Sequence, residues 1–334
     1  MRIPVLNFIQ CVGVCLVATP LWVSGVLAQT GSVTQSWPSK PLRLVVPFPA
    51  GGAVDLLARL ITPRLGESLG QPVVVDYRAG AGGNVGADLV AKSAADGYTL
   101  LLTANGHAIG PALYKKLPFN AERDFAPVTQ VVATTFLLAG KPSGPVQSLR
   151  ELLAAARARP GSINYGSTGI GSGPHLTLEL LKVVAGVNME HVPYKGDAPL
   201  INALMANEID VAAIPPATGM QYLPSGKLRA LALTGAQRSQ AMPDVPTPAE
   251  AGLAGFEFTS WQGLFMPANT PRDIVLRVQR DTARALAQPE LRERLRALGM
   301  EIVASTPEEF EARFKADIAK FTRLVRDAGI PQQD

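Results

Sequence analysis

Two short stretches concentrate the residues that could do chemistry. Pro47-Phe-Pro-Ala-Gly-Gly-Ala-Val-Asp55 follows an apolar run, and Gly166-Ser-Thr-Gly-Ile-Gly-Ser-Gly-Pro-His175 lies near mid-chain. Gly51 and Gly52 let backbone N–H groups come close to a ligand, because no Cβ stands in the way. A helix starting near Ala53 would leave its first N–H groups without intrahelical partners, a ready place for an anion. In the second stretch Ser167, Thr168 and Ser172 offer hydroxyls, the glycines expose backbone donors, and a helix after Pro174 aims its N-terminus at the same region. Neither stretch holds a lysine or arginine, so main-chain and hydroxyl donors would do the holding. Hydrogen bonds to a charged group are worth roughly 1.5–3 kcal/mol each. The competing reading of each stretch is a tight structural loop with an ordinary helix cap.

Other chemistries fit less well. A phosphate-binding Gly-Lys-Ser/Thr is missing from the glycine loop, and Gly169-Ile-Gly171 lacks the third glycine of dinucleotide spacing. Neither Ser167 nor Ser172 has the flanking glycines of a nucleophile elbow. A triad of Ser172, His175 and Asp197 can be written down, but no spacing supports it, so a secreted serine hydrolase is the rival from another class. His175 and Glu179 are four apart, half a metal site with no second half; no metal and no cofactor is expected. His107 follows a strand and could line a cleft, whereas His191 lies in a strand and suits packing. Asp55 and Asp197 could each cap a helix or accept from a ligand hydroxyl, amine or water.

The elements that must position these residues alternate regularly. Strands are expected over 42–46, 71–76 and 98–103, with helices over 54–68 and 85–94 between them, the pattern of parallel α/β packing. Residues 105–127 are less regular. An apolar, β-branched stretch over 128–139 leaves the first unit, and a second unit over about 142–255 repeats strand, glycine-rich loop and helix. The segment 256–266 returns, followed by helices over 271–287 and 289–298. Thr306-Pro-Glu-Glu309 reads as a capped start for a last helix ending near Ala328.

With 334 residues, 47% hydrophobic, the chain can build two ordinary domains. A net charge of +4 without a basic block argues against nucleic acid as a partner. Residues 1–28 read as a signal peptide: Arg2, an apolar run from Phe8 to Val26, and Val26-Leu-Ala28 at the cleavage point. Both cysteines, Cys11 and Cys15, fall inside it, so the mature chain has none. Export without disulfides fits a periplasm.

Trp37-Pro-Ser-Lys-Pro-Leu-Arg-Leu-Val-Val-Pro-Phe-Pro-Ala-Gly-Gly-Ala-Val-Asp55 resembles the opening of the Bug-type receptors of tripartite tricarboxylate transporters. Further matches are Gly80-Ala-Gly-Gly-Asn-Val-Gly86, Asp96-Gly-Tyr-Thr-Leu100, His191-Val-Pro-Tyr-Lys-Gly196, Met242-Pro-Asp-Val-Pro-Thr247 and Trp261-Gln-Gly-Leu264. The resemblance implies an α/β, two-lobed, type II-like periplasmic-binding-protein fold with the ligand cleft between lobes. Lobe one would comprise 38–141 and 257–334, and lobe two 142–256. It implies a small carboxylated solute held by Phe48, Pro49, Ala50, Gly51, Gly52 and Asp55 on one side. Ser167, Thr168, Gly171, Ser172, His175, Gly196 and Asp197 would hold it on the other, with bridging waters. The partners it implies are membrane permease subunits or, alternatively, a membrane sensor; the mature form is expected to be soluble and monomeric. The sequence departs from the family at Ala50, commonly proline, and at Asp76-Tyr-Arg-Ala79, commonly Glu-Asn-Arg-Pro. The second departure is expected to lie away from the cradle.

Overall fold

The computed structural model describes residues 37–144 and 146–334; the expected signal segment, with Cys11 and Cys15, lies outside them. The apolar run becomes β1 (Leu42–Val46), paired in parallel with β2 (Val73–Tyr77) and β3 (Thr99–Ala104). Helix α1 (Ala53–Leu69) connects β1 to β2, and α2 (Asn84–Ala91) connects β2 to β3. After α3 (Gly106–Leu113), β4 (Phe125–Thr135) joins the same sheet.

The second sheet is built from β5 (Leu137–Gly140), β6 (Asn164–Ser167), β7 (Glu190–Pro193), β8 (Val211–Ile214) and β9 (Arg229–Leu233), in the order β7-β6-β8-β5-β9. Its helices are α4 (Leu149–Ala158), α5 (Gly173–Ala185), α6 (Asp197–Met205) and α7 (Pro216–Tyr222). The chain then returns through β10 (Thr259–Pro267), α8 (Arg272–Leu286), α9 (Pro289–Ala297), β11 (Met300–Ile302) and α10 (Pro307–Asp327). This completes a six-stranded first sheet, β11-β4-β10-β3-β1-β2.

Burial explains why β1 is apolar at consecutive positions. Leu42, Leu44 and Val46 belong to one core cluster with α1 and α8, whereas Val45 belongs to another with α10. A sheet covered on both faces needs such a run rather than an alternating one. The α10 cluster continues through Trp261 and Phe314 to Leu152 and Leu176 of the second unit, so the two units share part of a core.

The sheets meet where strands cross. Only Phe136 separates β4 from β5, so by sheet membership the second unit opens there. Thr234 ties this crossing to the return strand. Its hydroxyl accepts from Phe136 N–H at 2.9 Å and donates to the Phe258 carbonyl at 2.6 Å. Its backbone N–H donates to the Phe136 carbonyl, and its carbonyl accepts from Phe258 N–H, both at 2.9 Å.

Two elements differ from the sequence expectation. The region 105–127 contains α3 despite Pro111, and α7 lies between the last two strands of the second unit. The last helix starts as expected: Thr306 and Glu309 form a reciprocal capping box with Pro307 in the first turn. Among the described residues no helix is long and apolar enough to cross a membrane.

Candidate functional site

The first loop springs from the C-terminal end of β1, where ligands of open α/β sheets characteristically sit. Gly51, Gly52 and Ala53 are exposed, and no side chain caps α1. The N–H groups of Gly52, Ala53 and Val54 have no acceptor among the described residues. Asp55 is buried and turned inward. Its Oδ2 accepts from Gly51 N–H at 2.7 Å, and its Oδ1 accepts from Arg59 Nε at 2.8 Å and from the Tyr77 hydroxyl. Burial alone would raise its pKa; the donors Tyr77, Gly51 and Arg59 outweigh this and hold the carboxyl below its ordinary range. Asp55 therefore shapes the loop and has both oxygens committed. Tyr77 lies in the departure expected to be remote, and that expectation is corrected: its hydroxyl reaches the loop's own carboxylate.

The second loop leaves β6 and enters α5. Several of its groups are consumed internally. Gly169 N–H donates to Ser167 Oγ at 3.1 Å, Gly171 N–H to His175 Nδ1 at 3.1 Å, and Ser172 N–H to the Gly169 carbonyl at 3.2 Å. Ser172 Oγ caps α5 by accepting from His175 N–H. Thus Ser172 and the His175 ring are not a nucleophile and its base. The N–H groups of Thr168, Ile170 and Gly173 remain without acceptors among the described residues.

Behind this loop stands a polar stack that the sequence reading missed. Ser167 Oγ is 2.7 Å from His191 Nε2, and the His191 ring lies 4.1 Å from that of His175 and 4.9 Å from that of Tyr165. Tyr165 donates to Glu179, which also pairs with Lys182 Nζ at 2.9 Å. Burial, then His191 and Lys182, lower the His175 pKa to about 3, matching a neutral ring that accepts from Gly171. The register Tyr165↔His191 of adjacent strands creates the stack, and strand adjacency is the signal that would have found it.

Helix α3 lies against the second loop, and the residue after it lies against Gly82, whose neighbour Gly83 faces the first loop. A Cβ on Gly83 would stand 3.4 Å from the Phe48 ring, and one on Gly82 would stand 2.5 Å from the Tyr114 hydroxyl, just past the end of α3. On the other side, a Cβ on Gly171 would stand 2.0 Å from Leu113 Cδ2, and one on Gly173 would stand 3.9 Å from Asn105 Oδ1. Pro49 and Ala50 are exposed on the first loop. Gly196 precedes α6 without a side-chain cap. Asp197 is solvent-accessible, yet surrounding protein desolvates its carboxyl and raises its pKa.

His107 is a correction. Its ring is enclosed by Phe119, Phe125, Phe265 and Phe314, with centroids between 4.6 and 5.7 Å away. Burial lowers its pKa to about 3, so it is a neutral core residue and lines no cleft. A separate groove of about 860 Å³ includes β11 and residues 235–241 in its lining, and shares no residue with either loop. Its charged lining mixes Arg238, Arg292 and Arg296 with Glu257, Glu293 and Glu301, a poor match for a simple anion. Among the described residues, no group of three or more His, Cys, Asp or Glu is placed to hold a metal ion.

Residues 57–330 match the Tripartite tricarboxylate transporter family receptor, TctC. The chain belongs to this receptor family. Protein BugT of Bordetella pertussis (strain Tohama I) is 35% identical over 318 residues, covering 92% of this chain and 97% of BugT. Among solved structures, Rpa4515 of R. palustris with adipate aligns at a TM-score of 0.80 and 36% identity, over 89% of this chain and 100% of that one. MatC (Rpa3494) of Rhodopseudomonas palustris with bound malate aligns at 0.76 and 32%, over 86% of this chain and 99% of MatC. The periplasmic-binding-protein fold of two lobes follows, and so does membership among solute-binding proteins rather than enzymes. The family match begins just after the first loop, and the alignment with BugT, over 92% of this chain, takes that loop in.

Proposed function

We propose that this chain is a periplasmic receptor that closes two lobes on a small organic acid and presents it to membrane permease subunits. The observation that carries the reading is the paired supply of uncommitted N–H groups. Gly52, Ala53 and Val54 offer them beside β1, and Thr168, Ile170 and Gly173 beside β6, with no cationic side chain in either loop. Such donors suit a carboxylate, and both helix N-termini favour negative charge. The adipate and malate held by the structural relatives support the ligand class.

In this reading Phe48, Pro49, Ala50, Gly51 and Gly52 form one wall, with Asp55 fixing their shape. Ser167, Thr168, Gly171, Ser172, Gly196 and Asp197 form the other, His175 holds Gly171 in place, and waters bridge what remains. Residues 1–28 direct export. Calorimetric titration against a panel holding adipate, malate, an acidic amino acid and an aromatic acid should find at least one ligand tighter than ~10 μM. Silence across the panel would overturn the proposal. Undiminished uptake of the bound acid by cells lacking the receptor would overturn the delivery half.

A further inference from the structure

We propose that the segment 330–334 is a strap that holds Leu113 in place for ligand capture, which makes Gln333 a positioning residue of the receptor; this rests on the receptor reading above. Helix α3 is poorly equipped to end on its own. It has eight residues, among them Gly106, Gly110 and Pro111, and the carbonyls of Ala112 and Leu113 lie past the last helical N–H. The segment after α10 supplies their partners. Gln332 Nε2 donates to the Ala112 carbonyl at 3.1 Å, and Gln333 N–H donates to the Leu113 carbonyl at 2.7 Å. The chain turns extended at Tyr114, where it forms a parallel bridge with Gln333, and Lys115 N–H donates back to the Gln333 carbonyl at 3.0 Å. Lys115 Nζ also meets Asp334 at 2.5 Å, an exposed pair that adds little. Ile330 anchors the segment, being buried in the same core cluster as Leu113.

The residue so held is the one that meets the second loop. A Cβ on Gly171 would stand only 2.0 Å from Leu113 Cδ2, so the leucine packs directly on that glycine. Gly171 spends its own N–H on His175, but Ile170 before it and Gly173 two residues on carry two of the loop's uncommitted N–H groups. Leu113 follows β3 of the first sheet and Gly171 follows β6 of the second, so the contact joins the two halves of the receptor. A strap that fixes Leu113 therefore acts on the form in which the halves are together. Releasing it should speed the departure of a bound acid and leave its capture nearly unchanged.

Binding kinetics, calorimetry and hydrogen exchange at the Lys115 amide test this, with whichever of adipate, malate, glutamate and benzoate the wild-type protein binds most tightly. The variants are Gln333→Pro, Gln333→Ala and Leu113→Ala. Proline removes the N–H that reaches the Leu113 carbonyl, whereas alanine keeps it. Gln333→Pro should speed exchange at Lys115 and weaken the acid about threefold to tenfold, nearly all of it as faster dissociation. Gln333→Ala should stay within about twofold of wild type, and Gln333→Pro should lose most of its effect once Leu113→Ala is present. A segment that serves stability alone would instead lower the unfolding temperature and leave the dissociation rate where it was. That result, or wild-type affinity in Gln333→Pro for any reason, overturns the inference and leaves the receptor reading standing. An equal loss in Gln333→Ala, or strict additivity with Leu113→Ala, does the same. A wild-type protein that binds none of the four acids overturns the receptor reading itself, and this inference with it.

Discussion

The Tyr77 hydroxyl donates to the Asp55 carboxylate, joining the end of β2 to the loop that leaves β1. The bond makes a residue outside the loop responsible for its shape, because the other oxygen of the same carboxylate holds Gly51 N–H. Tyr77→Phe should cost about 1 kcal/mol of stability and loosen Gly51. Asp55→Asn should weaken every bound acid alike, roughly threefold to tenfold. Titrating ligands with and without a hydroxyl or amine checks this. A loss confined to one kind would show that Asp55 meets the ligand directly.

Gly171 is constrained twice. Its φ is +77°, and any β-carbon would collide with Leu113 across the lobes. Gly171→Ala should lower affinity by an order of magnitude or more, since the loop must withdraw from α3. Adding Leu113→Ala should recover part of the loss and leave the backbone strain of roughly 1 kcal/mol. Calorimetry on the single and double variants reads the coupling; strict additivity would contradict the contact.

Acid should weaken the fold through the histidine stack. Burial, then His191 and Lys182, hold the His175 pKa down to about 3, and burial also lowers that of His191 despite the opposing pull of Glu179. An unfolded histidine takes up its proton near pH 6.5. Below that pH the unfolded chain binds more protons than the folded one, so stability falls as pH drops from about 6.5 toward about 3. The Asp55 contribution is present above its ordinary pKa of 3.8 and fades only at still lower pH. Urea unfolding at about pH 7, 5.5 and 4 should show the decline, with a shallower slope in His175→Gln, which keeps an acceptor for Gly171 and does not titrate. Identical slopes would remove His175 from the account.

The last helix offers a control. Thr306→Ala removes one half of the capping box and should cost about 1 kcal/mol. Affinity should not change, because the loops lie elsewhere. A ligand affinity that fell with it would mean that α10 does more than support the core.

What the sequence made legible depended on how local the signal was. β1 announced itself by Leu42 and the consecutive Leu44, Val45 and Val46, α1 by its apolar period and Gly70, and α10 by Thr306, Pro307 and Glu309. Helix α3 was hidden because Gly106, Gly110 and Pro111 weaken local propensity, while burial of Ala108, Ile109, Ala112 and Leu113 supplies what propensity lacks. The loops themselves were visible, but the fate of each N–H was not. Glycine spacing cannot tell that Gly51, Gly169 and Gly171 spend theirs on Asp55, Ser167 and His175. His107 follows β3 by only three residues, and only the packing of four phenylalanines around its ring shows that it belongs to the core.

The knot that Thr234 makes with Phe136 and Phe258 sits at the strand crossing, and a Cβ on Gly173 would stand 2.9 Å from the Phe136 ring. The joint between the two sheets is thus in contact with the loop that opens α5. Exchanging that loop to retune the guest would have to respect the Phe136 ring, whereas the loop after β1 is free of that constraint.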